Sequence, residues 1–247
     1  MILVIFAGFS YAFAYEPIPI TISNKMDKII FDGKWTFEYE WKSSSLNTYT
    51  YNDTTQIVLR SAHQDNFVYI FLDPITDAKP EKTKDYAVIC FDTQNDKTLG
   101  LNQDNYCFMS VLGNNTYATY HSDDNATKST QFTKIPNPDD VIAIGDVSDD
   151  NDRYIAIPHP SYEFKIPTSL IGRESVYGFY FVVYDDDTKK YYTYPTEIDT
   201  NEVISSPSEW GEIYSPDKSL PEFYLPFLIT IPAFAFIIIL NKTKRFL

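Results

Sequence analysis

Two cysteines, three histidines and three methionines are all that 247 residues contain of these types. His63, His121 and His159 stand far apart, without the spacing of a metal-ligand set or a catalytic triad. No His or Lys neighbours Cys90 or Cys107 to mark a thiolate nucleophile. A nucleophile elbow, a zincin helix and a phosphate loop are equally missing. Positive charge is scarce as well: 20 Lys and Arg face 34 Asp and Glu, for a net charge of −14. Over residues 15–220, with Glu222 and the three tail cations set aside, 17 cations meet 33 acids and the net charge is −16. Such a surface repels phosphate backbones, so no nucleic-acid partner is expected. With so many acids a glycosidase pair can always be imagined, but nothing in the sequence selects one. A non-catalytic protein is the expectation.

What the chain does hold is aromatic: 20 Tyr and 18 Phe, with 15 Pro. Aromatic and β-branched residues suit pleated, half-buried surfaces. Before residue 224 no segment keeps a 3.6-residue apolar period. Short runs recur instead between Asp, Asn, Gly and Pro clusters: "KIIFDG", "WTFEYEW", "TQIVLRSAH", "FVYIFLD", "YAVICFD", "YCFMSVLG", "TYATYHS", "DVIAIGDV", "RYIAIPHP", "YEFKIP", "VYGFYFVVYD" and "KYYTYPT". This pattern predicts an all-β antiparallel sandwich of immunoglobulin-like or jelly-roll-like type over residues 15–200. "IPTSLIG" predicts one helical turn, with Thr168 or Ser169 at its start. The Pro/Ser-rich residues 201–220 read as a stalk.

Cys90 and Cys107 fall in two strand-like runs separated by polar residues, which predicts a hairpin closed by a cross-strand disulfide and an oxidising compartment. Close-set acids on loops offer hard oxygens for calcium: Asp92 with Asp96, and Asp149 and Asp150 in a cluster with Asp146 and Asp152, foremost; Asp73 with Asp77 and Asp185 to Asp187 form similar sets. None has EF-hand spacing. Asn52, Asn114 and Asn125 head glycosylation sequons in polar contexts.

Both ends are apolar. Residues 1–14 close on Ala-Phe-Ala, the small-residue pattern of a signal-peptidase site. Residues 224–240 carry no charge and approach the roughly 17–20 residues that a membrane helix needs, with Lys242, Lys244 and Arg245 directly behind. Together they predict an exported protein on the outer face of the cell membrane, held by one helix with a cytoplasmic C-terminus. The triplet Pro221-Glu222-Phe223, the apolar segment and the basic tail of residues 221–247 resemble archaeal PEF-CTERM sorting signals. That likeness implies processing by an archaeosortase.

The order of the inner segments resembles family 9 carbohydrate-binding modules and related DOMON-like domains. The shared features are "IIFDGKW" with Trp41, "DNFVYIFLDPITD", "DYAVICFDTQND", "YEFKIPTSLIG", "YGFYFVVYDDD" and "SEWGEIY". The likeness implies a sandwich over residues 29–214 that binds carbohydrate, with Trp35, Trp41 and Trp210 as candidates to stack on sugar rings. An envelope structural or adhesive role is the competing expectation. "LRSAHQDNFVYIFLD" also resembles the haem-binding subunits related to ethylbenzene dehydrogenase, which implies haem b with Met109 as a candidate ligand.

Overall fold

The computed structural model describes residues 16–100, 102–121, 133–196 and 203–215. The leader of residues 1–14, the sequon at Asn125, and the sorting triplet, apolar segment and basic tail of residues 221–247 lie outside the described residues. Among the described residues no helix is long and apolar enough to cross a membrane.

Fourteen strands are described: β1 (Ile18–Pro19), β2 (Thr21–Ile22), β3 (Ser45–Thr50), β4 (Gln56–Gln64), β5 (Phe67–Asp73), β6 (Tyr86–Asp92), β7 (Asn105–Val111), β8 (Tyr117–His121), β9 (Thr133–Ile135), β10 (Ile142–Val147), β11 (Pro160–Pro167), β12 (Val176–Asp185), β13 (Lys190–Tyr194) and β14 (Gly211–Tyr214). Among the described residues the one α-helical turn is α1 (Thr168–Ile171). One sheet runs β1-β14-β12-β6-β7-β8-β9, with β13 also on β12; the other runs β10-β11-β5-β4-β2, with β3 also on β4. All pairings are antiparallel except β1 with β14 and β2 with β4.

The two sheets face each other across one core. Ile57, Leu59, Ile70, Leu72, Phe164 and Ile166 point in from one, and Ile89, Phe91, Phe108, Phe179, Phe181 and Ile213 from the other. The residues between these on the central strands are buried too. Residues 26–41 cover the outer face of the six-stranded sheet at Ala62, Tyr69 and Phe71, and Trp210 covers the outer face of the other at Cys90, Cys107 and Tyr180. Strands covered on both faces read as unbroken apolar runs. This is why "VYIFL" and "AVICF" show no alternation in the sequence.

Three expected strands are turns. "KIIFDG" and "WTFEYEW" form a coil in which the Glu40 carboxylate accepts the backbone N–H of Ile30 at 2.8 Å and of Thr36 at 2.7 Å. These bonds take donors that a strand would need. "RYIAIPHP" loops instead, because Asp152 Oδ1 accepts the N–H groups of Tyr154 and Ile155. The boundary at residue 200 also moves: Val203 and Ile204 pack on the disulfide cluster, and β14 pairs with β12 and β1. Residues 203–215 are therefore sandwich, not stalk. α1 forms as expected, but Pro167 occupies its N-cap and no side chain caps it.

Candidate binding site

Cys90 and Cys107 lie opposite each other in the β6–β7 register and are bonded, with their Cα atoms 4.1 Å apart. Both are fully buried. This pairing is the one expected from the sequence.

The residues that carry the sequence resemblance form a buried knot. Gly33 holds φ at +88°, and a side-chain carbon there would come within 2.5 Å of the Asp146 nitrogen, so only glycine fits. Its N–H donates to Glu163 Oε2 at 2.8 Å, while Trp41 Nε1 donates to Glu163 Oε1 at 3.0 Å. The Gly33 carbonyl accepts from Ser161 Oγ at 2.8 Å. Burial pushes the Glu163 carboxyl well above its usual range, against the pull of these two donors.

The tryptophans expected to stack on sugars do not face solvent. Trp35 and Trp41 are 0% exposed and Trp210 is 2% exposed. Trp35 packs edge-on against Phe71 and Tyr154, and Trp41 stacks on Phe71 at 5.2 Å. Trp210 stacks on Tyr180 at 6.0 Å and donates Nε1 to the Ser205 carbonyl. All three are core residues, and their rings have no open face for a ligand. Met109 packs on the outer face of the eight-stranded sheet beside the disulfide, and its sulfur accepts from Tyr120 Oη at 3.8 Å.

The acids are sorted by the topology. Antiparallel pairing brings the loops β3–β4, β5–β6, β10–β11 and β12–β13 to one end of the sandwich. A cleft of about 380 Å³ opens there, lined from both sheets. Hydroxyls of Thr55, Thr76, Thr188 and Tyr192 and carboxylates of Asp53, Asp77, Asp185 and Asp187 line it, with Lys79 and Lys190 at the rim. Tyr192 Oη donates to Asp53 at 3.1 Å, and Lys190 Nζ contacts the same oxygen at 2.6 Å. That lysine contact, before all else, holds the Asp53 carboxyl far below its usual range. Asp77 goes the other way: burial, reinforced by Asp185, Asp85 and Glu81, raises it to about 6. Lys79 bonds Asp187 at 2.8 Å, and Thr188 Oγ1 donates to Asp185 at 2.8 Å.

On the far side of the same β12–β13 turn a row of tyrosines crosses three strands on the outer sheet face. Ring centroids are 4.9 Å apart from Tyr191 to Tyr184 and 5.0 Å apart from Tyr184 to Tyr86. All three rings are half-buried. Asp186 ends the row, accepting from Tyr184 Oη and paired with Lys84 and Lys189.

Of the expected calcium ligands, Asp92 and Asp96 are joined by Asp104 at the opposite end of the sandwich. Burial and the neighbouring Asp92 raise the Asp104 carboxyl to about 6. Asp149 is instead bound to Lys34 Nζ at 2.7 Å, and Asp150 is exposed. Asp152, two residues on, joins Asp73 and His159 in a buried group. The sequons at Asn52 and Asn114 lie in turns next to β4 and β8.

No family model matches the sequence, and no curated protein matches it. Among solved structures the chain is similar to a family 9 carbohydrate-binding module from Caldicellulosiruptor kristjanssonii in complex with cellotriose. The TM-score is 0.51 at 16% identity, over 81% of this chain and 93% of that one. A family 9 module from the same organism in complex with glucose matches at a TM-score of 0.51 and 15% identity, over 81% of this chain and 95% of that one. At these identities the likeness concerns the fold: the chain is a sandwich of the family 9 module type.

Proposed function

We propose that the protein is a non-catalytic carbohydrate-binding module that acts outside the cell and holds its ligand in the acidic cleft. The observation that carries this reading is the lining of the cleft. Its volume lies within the range of small-molecule sites, about 300–1,000 Å³. Four hydroxyls and four carboxylates converge in it, and a sugar, itself a ring of hydroxyls, needs such paired donors and acceptors. Asp53 and Asp187 are held in place by lysines, so their oxygens are oriented before a ligand arrives. Both neighbouring folds of this type were solved with sugars bound, cellotriose in one and glucose in the other. The buried disulfide supports an exported location.

Glycan-array binding of the protein, with and without calcium, tests the reading. Binding to a defined set of glycans is expected. Asp187→Asn and Thr188→Ala should each weaken it about tenfold, the loss of one or two hydrogen bonds, without changing the melting temperature by more than a few degrees. Tyr184→Ala separates the cleft from the tyrosine row: affinity lost there but kept in Asp187→Asn would move the site to the sheet face. Flat binding across the array would leave an envelope structural role in its place.

A further inference from the structure

We propose that Asp73, Asp152 and His159 form a site for one divalent cation of the zinc class, which ties the β10–β11 loop to the end of β5. The three ligating atoms lie within 4.8 Å of one another. The group is unlike the surface acids. Asp73 and Asp152 side chains are 0% exposed and that of His159 is 1% exposed. Asp73 ends β5, Asp152 sits in the turn after β10, and His159 immediately precedes β11.

The hydrogen bonding leaves two oxygens of this group without donors. Asp152 Oδ1 is occupied by the N–H groups of Tyr154 and Ile155, but its Oδ2 has no partner. Asp73 Oδ1 meets His159 Nε2 at 2.7 Å, and its Oδ2 has no partner either. An acceptor buried without a donor is destabilising, more so when it is charged, and here two such oxygens belong to one group. The imidazole is already set as a ligand. Its Nδ1 lies 2.6 Å from the Ile157 carbonyl and 2.8 Å from Ser148 Oγ, so Nδ1 carries the proton. Nε2 is then turned toward both carboxyls, 2.7 Å from Asp73 and 4.0 Å from Asp152. A backbone carbonyl that fixes the tautomer in this way is the usual outer support of a metal-bound histidine.

Charge favours the same answer. Once the proton that Nε2 shares with Asp73 is displaced, two carboxylates and a neutral imidazole carry two negative charges, which one divalent cation cancels. Arg60 is engaged elsewhere: Nε donates to Tyr154 Oη at 2.8 Å and Nη1 to the Ser44 carbonyl at 3.2 Å. Asp73, Asp152 and Nε2 of His159 supply three ligands, the protein's share of a four-coordinate zinc whose fourth position a water takes. Calcium, which wants six to eight oxygens, is poorly served by so few.

The test uses the full chain purified without chelators. Elemental analysis should find about one zinc per chain, and stripping with EDTA should lower the melting temperature. Zinc added back at a hundredfold excess over its Kd should restore it by roughly 5–10 °C, while calcium should not. His159→Gln should abolish the zinc response, whereas Asp96→Asn, at the other end of the sandwich, should keep it. Should His159→Gln fail to fold, the wild-type titration alone decides. Absence of bound metal together with no thermal response to zinc would overturn the site and make the group a proton-sharing one. A zinc response that survives in His159→Gln would overturn it equally, by placing the metal elsewhere.

Discussion

The covered face of the six-stranded sheet and the acidic loop end are built from the same kinds of residue to opposite purposes. On the face, Glu163 is a carboxylate sealed between Gly33 and Trp41, with every bond directed at this chain's own backbone and side chains. At the loop end, Asp53, Asp77 and Asp187 line an open cleft. One region uses polar atoms to fix a fold and the other keeps them where a ligand can reach. The features that make the sequence resemble a known family, "DG", Trp41 and "YEFKIP", belong to the first region. The residues suited to binding belong to the second and form no motif.

The largest expected effect comes from breaking the buried side of this contrast. Glu163→Ala leaves the Gly33 N–H and the Trp41 indole without partners and opens a cavity. The expected loss is about 4 kcal/mol of stability, enough to unfold a marginal domain. Chemical denaturation measures it, and a loss below about 1 kcal/mol would mean that the knot is dispensable. Glu163→Gln, which keeps the shape and one acceptor, should recover part of the loss.

A smaller effect is expected on the outer face of the other sheet. Cys90→Ser removes a cross-link between residues 17 apart in sequence, worth about 3 kcal/mol on chain-entropy grounds. Glycan binding measured well below the melting temperature should be unchanged, because the pair is buried beneath Trp210 and far from the cleft. Thiol titration of the unfolded, unreduced protein should find no free sulfhydryl; two would refute the pairing.

How much of this was legible in the sequence follows from the range of the interactions. The disulfide, the sandwich class, α1 and nine of the strands rest on local apolar runs and turn residues, and these are visible in order along the chain. The failures have local causes of another kind. "WTFEYEW" alternates like a strand, yet Glu40 turns back on the backbone and caps it, leaving Tyr39 65% exposed between two buried tryptophans. β3, "SLNTYT", is too polar to register as a strand, and it is held at the sheet edge by its pairing with β4. β14 is four residues long and follows Pro and Ser, so composition marks it as linker although β12 captures it. The cleft joins Asp53, Asp77 and Asp187 from three separate loops, and no spacing rule spans such distances. One signal was present: Asp73 closes the apolar run of β5 and His159 directly precedes β11, where strand ends deliver polar side chains to one end of the sandwich.

The smallest expected effect is also the finest probe of the cleft, because two of its aspartates titrate in opposite senses. Asp53 is held low by Lys190 and then by its hydrogen bonds to Thr55 and Tyr192, so it binds protons less readily folded than unfolded. Its contribution to stability is present above the ordinary aspartate value of about 3.9 and is lost as the pH falls below it. Asp77 is raised to about 6, chiefly by burial, so it binds protons more readily when folded. Its contribution is full below about 3.9 and is lost as the pH climbs through about 6. Asp73 and Asp104 are raised to about 6 as well, so the wild-type curve alone does not isolate Asp77. The difference in melting temperature between wild type and Asp77→Asn does: it should widen in favour of the variant as the pH rises from about 4 to about 6, then level off. Below neutral pH a Lys190→Met difference should instead change only beneath about 3.9, where Asp53 takes up its proton. Ligand binding should follow the same proton, since below about 6 Asp77 offers a hydroxyl donor and above it two acceptors. A difference curve that is flat across this window would show that Asp77 is as well hydrated as a surface aspartate, and the cleft shallower than its walls suggest.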